Sequence, residues 1–112
     1  MVSVQALCNT IIIEALNNNV RMTSIGLQKV LYLVYKKYYT ETGKLLFSEK
    51  FYFYKGNPVI ESVNSKFRGF QNKAITKFAK DAAGDVYIIT PQSNLYLYLV
   101  IHNIVLQIRE DF

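Results

Sequence analysis

Apolar residues in the first part of the chain recur at helical spacing. Val4, Leu7, Cys8, Ile11 and Ile12 are three or four positions apart, which predicts a helix from Val4 to Leu16. The polar run Asn17-Asn18-Asn19 ends it in a turn. Thr23 and Ser24 then offer side-chain oxygens to the free amides of a second helix, along which Leu27, Leu31, Val34, Tyr35 and Tyr38 form a broad apolar stripe. Gly43 can take the positive φ at which helices commonly end, so this helix should stop near Thr42. Four consecutive aromatics, Phe51 to Tyr54, read as a short extended segment bounded by Lys50 and by Lys55-Gly56-Asn57-Pro58. Asn57 before Pro58 has the form of a cap followed by a first-turn proline, which predicts a helix from Pro58 to about Phe67.

Phe70, Ala74, Ile75 and Phe78 keep helical spacing, so a short amphipathic helix is expected between Phe70 and Lys80. Ala82 to Asp85 break the pattern, and Val86 to Ile89 read as a β-branched strand suited to pairing with Phe51 to Tyr54. Thr90-Pro91 repeats the cap-plus-proline form and opens a last helix that should run to about Arg109. Leu95, Leu99, His102 and Leu106 share one side of it, while Tyr96, Leu97, Val100, Ile101, Ile104 and Val105 cover much of the remainder. A helix apolar nearly all round is either central in the core or half-buried against another chain, which makes it the natural seat of a homodimer or partner interface. The expected fold is mainly α, a compact bundle of four to five helices with a short two-stranded β ribbon, in a single domain over residues 1–112.

One stretch carries more specific information. It combines Leu27-Gln28-Lys29 with Leu31 and Tyr32, then Gly43-Lys44 with Leu46 and Phe47, then Gly56, Pro58 and Val59. In this order and spacing it resembles the Panacea antitoxin domain of bacteria and phages, also called SocA-like or GepA-like. In that family a Leu-x-Leu-Gln-Lys-Leu-Leu-Tyr helix precedes a Gly-Lys-Pro-Leu-Phe turn and a Tyr-Gly-Pro-Val turn. Here Asn57 stands between the glycine and the proline of the third element. Beyond Phe70 the family's Thr-His and Pro-Trp pairs have no counterpart, since the chain has no Trp and its one histidine is His102. The resemblance implies an antitoxin-type neutraliser or proteolytic adaptor that binds a toxin or protease, without cofactor or catalysis.

Composition adds limits. At 112 residues and 51% hydrophobic content, the chain can bury a core without metal or disulfide support. The lone Cys8 has no internal partner and suits a reducing compartment. Glu14 follows the short run Ile11-Ile12-Ile13 and no basic stretch precedes it, so nothing reads as a signal peptide. The tract from Leu95 to Ile108 is interrupted by His102, Asn103 and Gln107 and falls short of the roughly 20 apolar residues of a membrane span. A soluble cytoplasmic protein is the expectation.

The net charge of +5 is concentrated in Lys66, Arg68, Lys73, Lys77 and Lys80, which have no acidic residue among them. Such a stretch is a solvated face, a contact for an acidic protein, or a phosphate track for nucleic acid. The chain's nine tyrosines and seven phenylalanines exceed what so small a core needs, and tyrosine is favoured at interfaces because its ring packs while its hydroxyl stays wet. Tyr35, Tyr38, Tyr39, Tyr52 and Tyr54 are therefore candidate partner-binding residues together with the five cations. Tyrosine beside lysine also suits base stacking over a phosphate track, which supports the nucleic-acid alternative.

The catalytic inventory is poor. Cys8 and His102 both fall on apolar helix faces, where a structural role is the simpler reading. No short-spaced ligand pair points to a metal, no paired carboxylates to acid–base chemistry, and no glycine-rich loop to a phosphate. The leading reading is a non-catalytic protein-binding module. The alternatives are a phage-encoded inhibitor of a host defence enzyme, of the anti-CRISPR type, and a nucleic-acid-binding module using residues 66–80.

Overall fold

The computed structural model describes residues 1–70 and 72–111. Helix α1 spans Val4–Asn17 and helix α2 spans Ser24–Thr42. Strands β1 (Tyr52–Tyr54) and β2 (Asn57–Val59) form one antiparallel hairpin, followed by helix α3 (Glu61–Phe67), a single 3-10 turn over Arg68–Phe70, and helix α4 (Leu95–Asp111). The fold is thus mainly α with one small ribbon, and α1, α2 and α4 pack on one another. Leu7, Ile11 and Ile12 from α1, Leu27, Leu31 and Val34 from α2, and Leu97, Ile101 and Val105 from α4 meet in the core. Leu46, Phe47, Ile60, Val63 and Phe67 close it from below the hairpin.

The first two helices follow the sequence closely. Ser3 caps α1 by accepting from the Ala6 amide at 3.3 Å, and Thr23 caps α2 by accepting from Gly26 at 3.1 Å. Gly43 ends α2 at φ 70°, with its amide donating to the Tyr39 carbonyl at 2.8 Å.

Four expectations are corrected. Asn57-Pro58 does not open a helix: both residues lie in β2, paired with Tyr54 and Phe53, and α3 starts at Glu61. The cause is the Lys55-Gly56 pair, whose φ values of 51° and 79° make a two-residue hairpin loop that returns the chain beside β1. The ribbon partner of residues 52–54 is therefore this local strand, and residues 86–89 form no strand. The helix expected between Phe70 and Lys80 is also absent over residues 72–80; Gln71, inside that span, lies outside the described residues.

Two polar residues on α1 explain why the segment before α4 is irregular. Asn9 accepts from the Ala79 amide at 2.8 Å and donates to the carbonyls of Ala79 at 2.9 Å and Tyr87 at 3.1 Å. Thr10 accepts from the Ile89 amide at 2.7 Å while donating to the Ala6 carbonyl at 2.7 Å. Backbone groups that a helix would satisfy internally are satisfied by α1, and Ile75, Ala79 and Ile89 are buried as the strap crosses it. Thr90-Pro91 likewise begins a turn, closed by the Ser93 amide on the Thr90 carbonyl at 3.1 Å. The start of α4 is supplied by Asn94, whose side chain accepts from the Leu97 amide at 3.1 Å.

Candidate functional site

The candidate site is built on the outer side of α2. Ile25, Lys29, Leu33 and Lys36 lie three or four residues apart, with Tyr32 beside them, opposite the core residues Leu27, Val30, Leu31 and Val34. Ile25, Lys29, Leu33 and Lys36 are exposed, and no acidic residue occurs between Ser24 and Thr40. The ridge therefore interleaves branched apolar side chains with ammonium groups.

On one flank stands the hairpin, held against α2 by Gln28 and Tyr32. Gln28 accepts from the buried Ile60 amide at 3.0 Å and donates to the Ile60 carbonyl at 3.1 Å. Ile60 is the cap residue of α3 and its side chain makes no capping hydrogen bond, so the backbone at the entry to α3 is fixed from α2 by Gln28. Phe51 and Phe53 complete the join by meeting the Tyr32 ring edge-on at centroid distances of 5.3 and 5.8 Å. The tip beyond this join is bare: Phe53 is 60% and Tyr54 61% exposed, and Lys55 reaches over the Tyr54 ring at 5.4 Å. A pocket of about 240 Å³ opens where Ile25, Gln28, Tyr54, Pro58 and Val59 converge.

The other flank of the ridge falls into a groove of about 920 Å³. Val20, Met22, Gly26, Leu33 and Ile108 form its apolar lining, while Arg21 and Lys29 bring charge to it. Arg21 is held there by donating to the Asn72 carbonyl at 2.6 Å. Hairpin tip, α2 ridge and groove carry Lys55, Lys29, Lys36 and Arg21 beside exposed apolar groups. This combination suits an apolar surface edged with carboxylates.

The residues singled out from sequence are dispersed. Tyr35 is half-buried against Phe47 and Phe51 at 4.9 and 5.5 Å, and Tyr38 packs on Tyr96 at 6.2 Å. Tyr39, Tyr52 and Tyr54 are exposed. The Tyr52 hydroxyl donates to Glu61 at 2.9 Å, and that bond to a carboxylate raises its pKa. Lys66 lies on α3 and donates to Gln5 at 2.9 Å, whereas Arg68 belongs to the 3-10 turn. Lys73, Lys77 and Lys80 are exposed along the irregular strap, so no helix face collects the five cations. Sequence reasoning missed Ile25, Lys29, Leu33 and Phe53 as surface residues; the three on α2 were signalled by falling outside its apolar stripe, whereas β1 is exposed at every position and no alternation marks Phe53.

The buried titratable groups form a separate cluster between α1 and α4. Glu14 is buried and receives His102 Nδ1 at 2.7 Å; a carboxylate only accepts, so the proton of this bond belongs to the imidazole. The Tyr98 hydroxyl also donates to Glu14, which raises its pKa, and its ring stacks on His102 at 6.1 Å. Cys8 stands apart from that cluster, 1% exposed on the other side of α1, with its thiol pKa pushed up chiefly by burial. Among the described residues, no group of three His, Cys, Asp or Glu side chains could hold a metal ion, and no helix is long and apolar enough to cross a membrane.

The family model for the antitoxin SocA-like, Panacea domain matches residues 27–106. The chain belongs to this family. No curated protein and no solved structure matches it. The matched span begins at Leu27, beside the Gln28 that fixes the hairpin, and runs through the hairpin, the strap and most of α4. The two structural roles of Gln28 and Gly43 thus fall on motif positions, one joining hairpin to helix and the other ending the helix.

Proposed function

We propose that this member of the Panacea family is a stoichiometric neutraliser that binds a protein toxin through the α2 ridge and the hairpin tip. The observation that carries the reading is the exposed set Ile25, Leu33, Phe53 and Tyr54, interleaved with Lys29, Lys36 and Lys55 and free of carboxylates between Ser24 and Thr40. Apolar anchors would bury against the toxin while the ammonium groups select an acidic rim, and no bond is made or broken. Hydrogen bonds from Gln28 hold the anchors before binding, which reduces the ordering cost of association. The same surface would serve a proteolytic adaptor or an inhibitor of a defence enzyme, so the identity of the captured protein separates these roles.

The test is affinity capture of the tagged protein from its host lysate after nuclease treatment, at low and high salt, followed by mass spectrometry. One dominant toxin is expected to survive both treatments. The variants Tyr54→Ser and Lys29→Glu are each expected to weaken its binding tenfold or more, while the thermal midpoint stays within about 3 °C, because both side chains are exposed. Capture unaffected by either variant would remove this surface from the account. Recovery of nucleic acid alone, lost in high salt, would replace the reading with one centred on Lys66, Arg68, Lys73, Lys77 and Lys80.

A further inference from the structure

The outer face of α4 is the apolar surface that the neutralising site does not use. Leu95, Leu99, His102 and Leu106 are spaced four, three and four residues apart, the interval of a coiled-coil seam. The core positions Leu97, Val100, Ile101, Ile104 and Val105 lie on the other side of the helix. Among the described residues the seam is open at its first two positions, with Leu95 57% and Leu99 44% exposed, while His102 and Leu106 are half-buried.

We propose that this seam pairs antiparallel with the seam of a second copy of the chain. Charge selects that occupant. Each copy carries +5, and a copy docked on the α2 ridge would set Lys29 and Lys36 against their own equivalents. From Pro91 to Ile108 there is no Asp, Glu, Lys or Arg, so α4 is where two like-charged copies can approach closely.

Symmetry selects the direction. The four positions are symmetric about a point between residues 100 and 101, so a two-fold axis there lays the seam on itself, Leu95 against the second copy's Leu106 and Leu99 against its His102. The layers alternate in the manner of antiparallel helix pairs, and the opposed helix dipoles attract. Parallel pairing would place imidazole against imidazole. Glu14, held at 2.7 Å behind His102, and Tyr98, stacked on the same ring, fix the imidazole in its layer, and the two central Leu99–His102 layers, polar within an apolar seam, set the register.

The pairing is independent of the neutralising surface, and the isolated protein tests it. Sedimentation velocity from 10 to 500 µM is expected to show a reversible dimer, with a midpoint in roughly that range because one helix pair is a small interface. Leu99→Glu should raise the midpoint at least tenfold with an unchanged far-UV CD spectrum. Direction is read from Gln107→Cys carrying a spin label. Antiparallel helices place the two labelled backbone sites roughly 20 Å apart, from a 1.5 Å rise per residue and an interaxial distance of about 9 Å, whereas parallel helices place them about 10 Å apart. A monomer throughout the range, or a dimer indifferent to Leu99→Glu, overturns the proposal. A label distance near 10 Å overturns its register and holds even if Leu99→Glu fails to fold.

Discussion

Replacing Gln28 by alanine tests whether one amide organises the proposed binding face. The side chain makes two hydrogen bonds to Ile60, but their loss does not cost the same. The Ile60 carbonyl also accepts from the amides of Val63 at 3.1 Å and Asn64 at 3.0 Å, so it stays satisfied without Gln28. The Ile60 amide has Gln28 as its acceptor in a buried setting, and an orphaned buried donor costs about 1–3 kcal/mol. Adding the small packing loss of a side chain that is itself buried, Gln28→Ala should destabilise by about 2–3 kcal/mol. For a domain of this size that lowers the thermal midpoint by roughly 8–12 °C. Urea unfolding at neutral pH measures it, with an unchanged m-value confirming that the same surface is exposed. Gln28→Glu sharpens the test, since an ionised carboxylate keeps the acceptor but sets negative charge against the Ile60 carbonyl. Protonation restores a donor, so the Glu variant should recover stability as pH falls through its carboxyl pKa, and the alanine variant should not. A loss below about 0.5 kcal/mol for Gln28→Ala, or equal pH behaviour of the two variants, would refute this account of the hairpin.

Other consequences follow from the same geometry. Asn9→Ala removes all three bonds that tie Ala79 and Tyr87 to α1, so it should cost about 2–4 kcal/mol and abolish hydrogen-exchange protection at the Ala79 amide while α2 stays protected. The buried Cys8 thiol, its pKa raised, should resist a disulfide reagent in the native protein and react only as the chain unfolds; rapid native labelling would contradict its placement. Tyr96 is pushed up to about 12 chiefly by donating its hydroxyl to Glu41, and a phenol raised in the folded state favours folding below its unfolded value, near pH 10. That contribution is lost as pH rises towards 12, and in a spectrophotometric titration Glu41→Gln should bring the last tyrosine ionisation down. Tyr98, raised by its bond to Glu14, should behave in the same sense, tested with Glu14→Gln.

How much of this was legible depends on where the backbone found its partners. In α1 and α2 the partners are local: Ser3, Thr23 and Gly43 are caps within the same stretch of sequence, and pattern and propensity agree. Asn57-Pro58 misled because the same pair fits a helix start and the second strand of a hairpin, and the deciding residues were Lys55 and Gly56 with their positive φ. Residues 72–90 were beyond local reasoning. Their fate is set by Asn9 and Thr10, 70 to 79 residues away, polar side chains on a face of α1 that periodicity alone assigns to solvent. The exposed tip of the hairpin was partly visible as a run of aromatics. Its pairing with the α2 ridge was not, because the motif reads Gln28 as a family mark until its bonds to Ile60 give it a function.

That dependence bears on the proposed binding face. A side chain chosen for binding is free of structural duty, and on this protein the division is sharp within one helix: Gln28 and Tyr32 hold the hairpin, while Lys29 and Leu33, one residue along from each, point outward. The outward residues can change with little effect on the fold, since surface substitutions away from such contacts usually alter stability by about 0.5 kcal/mol or less. The inward residues cannot, because one of them satisfies a buried amide and the other carries two aromatic contacts. A scaffold organised in this way keeps the presenting geometry constant while the presented side chains vary. Exchange of Ile25, Lys29, Leu33 and Tyr54 between members of the family should therefore transfer partner choice between them, whereas exchange of Gln28 should transfer nothing but instability.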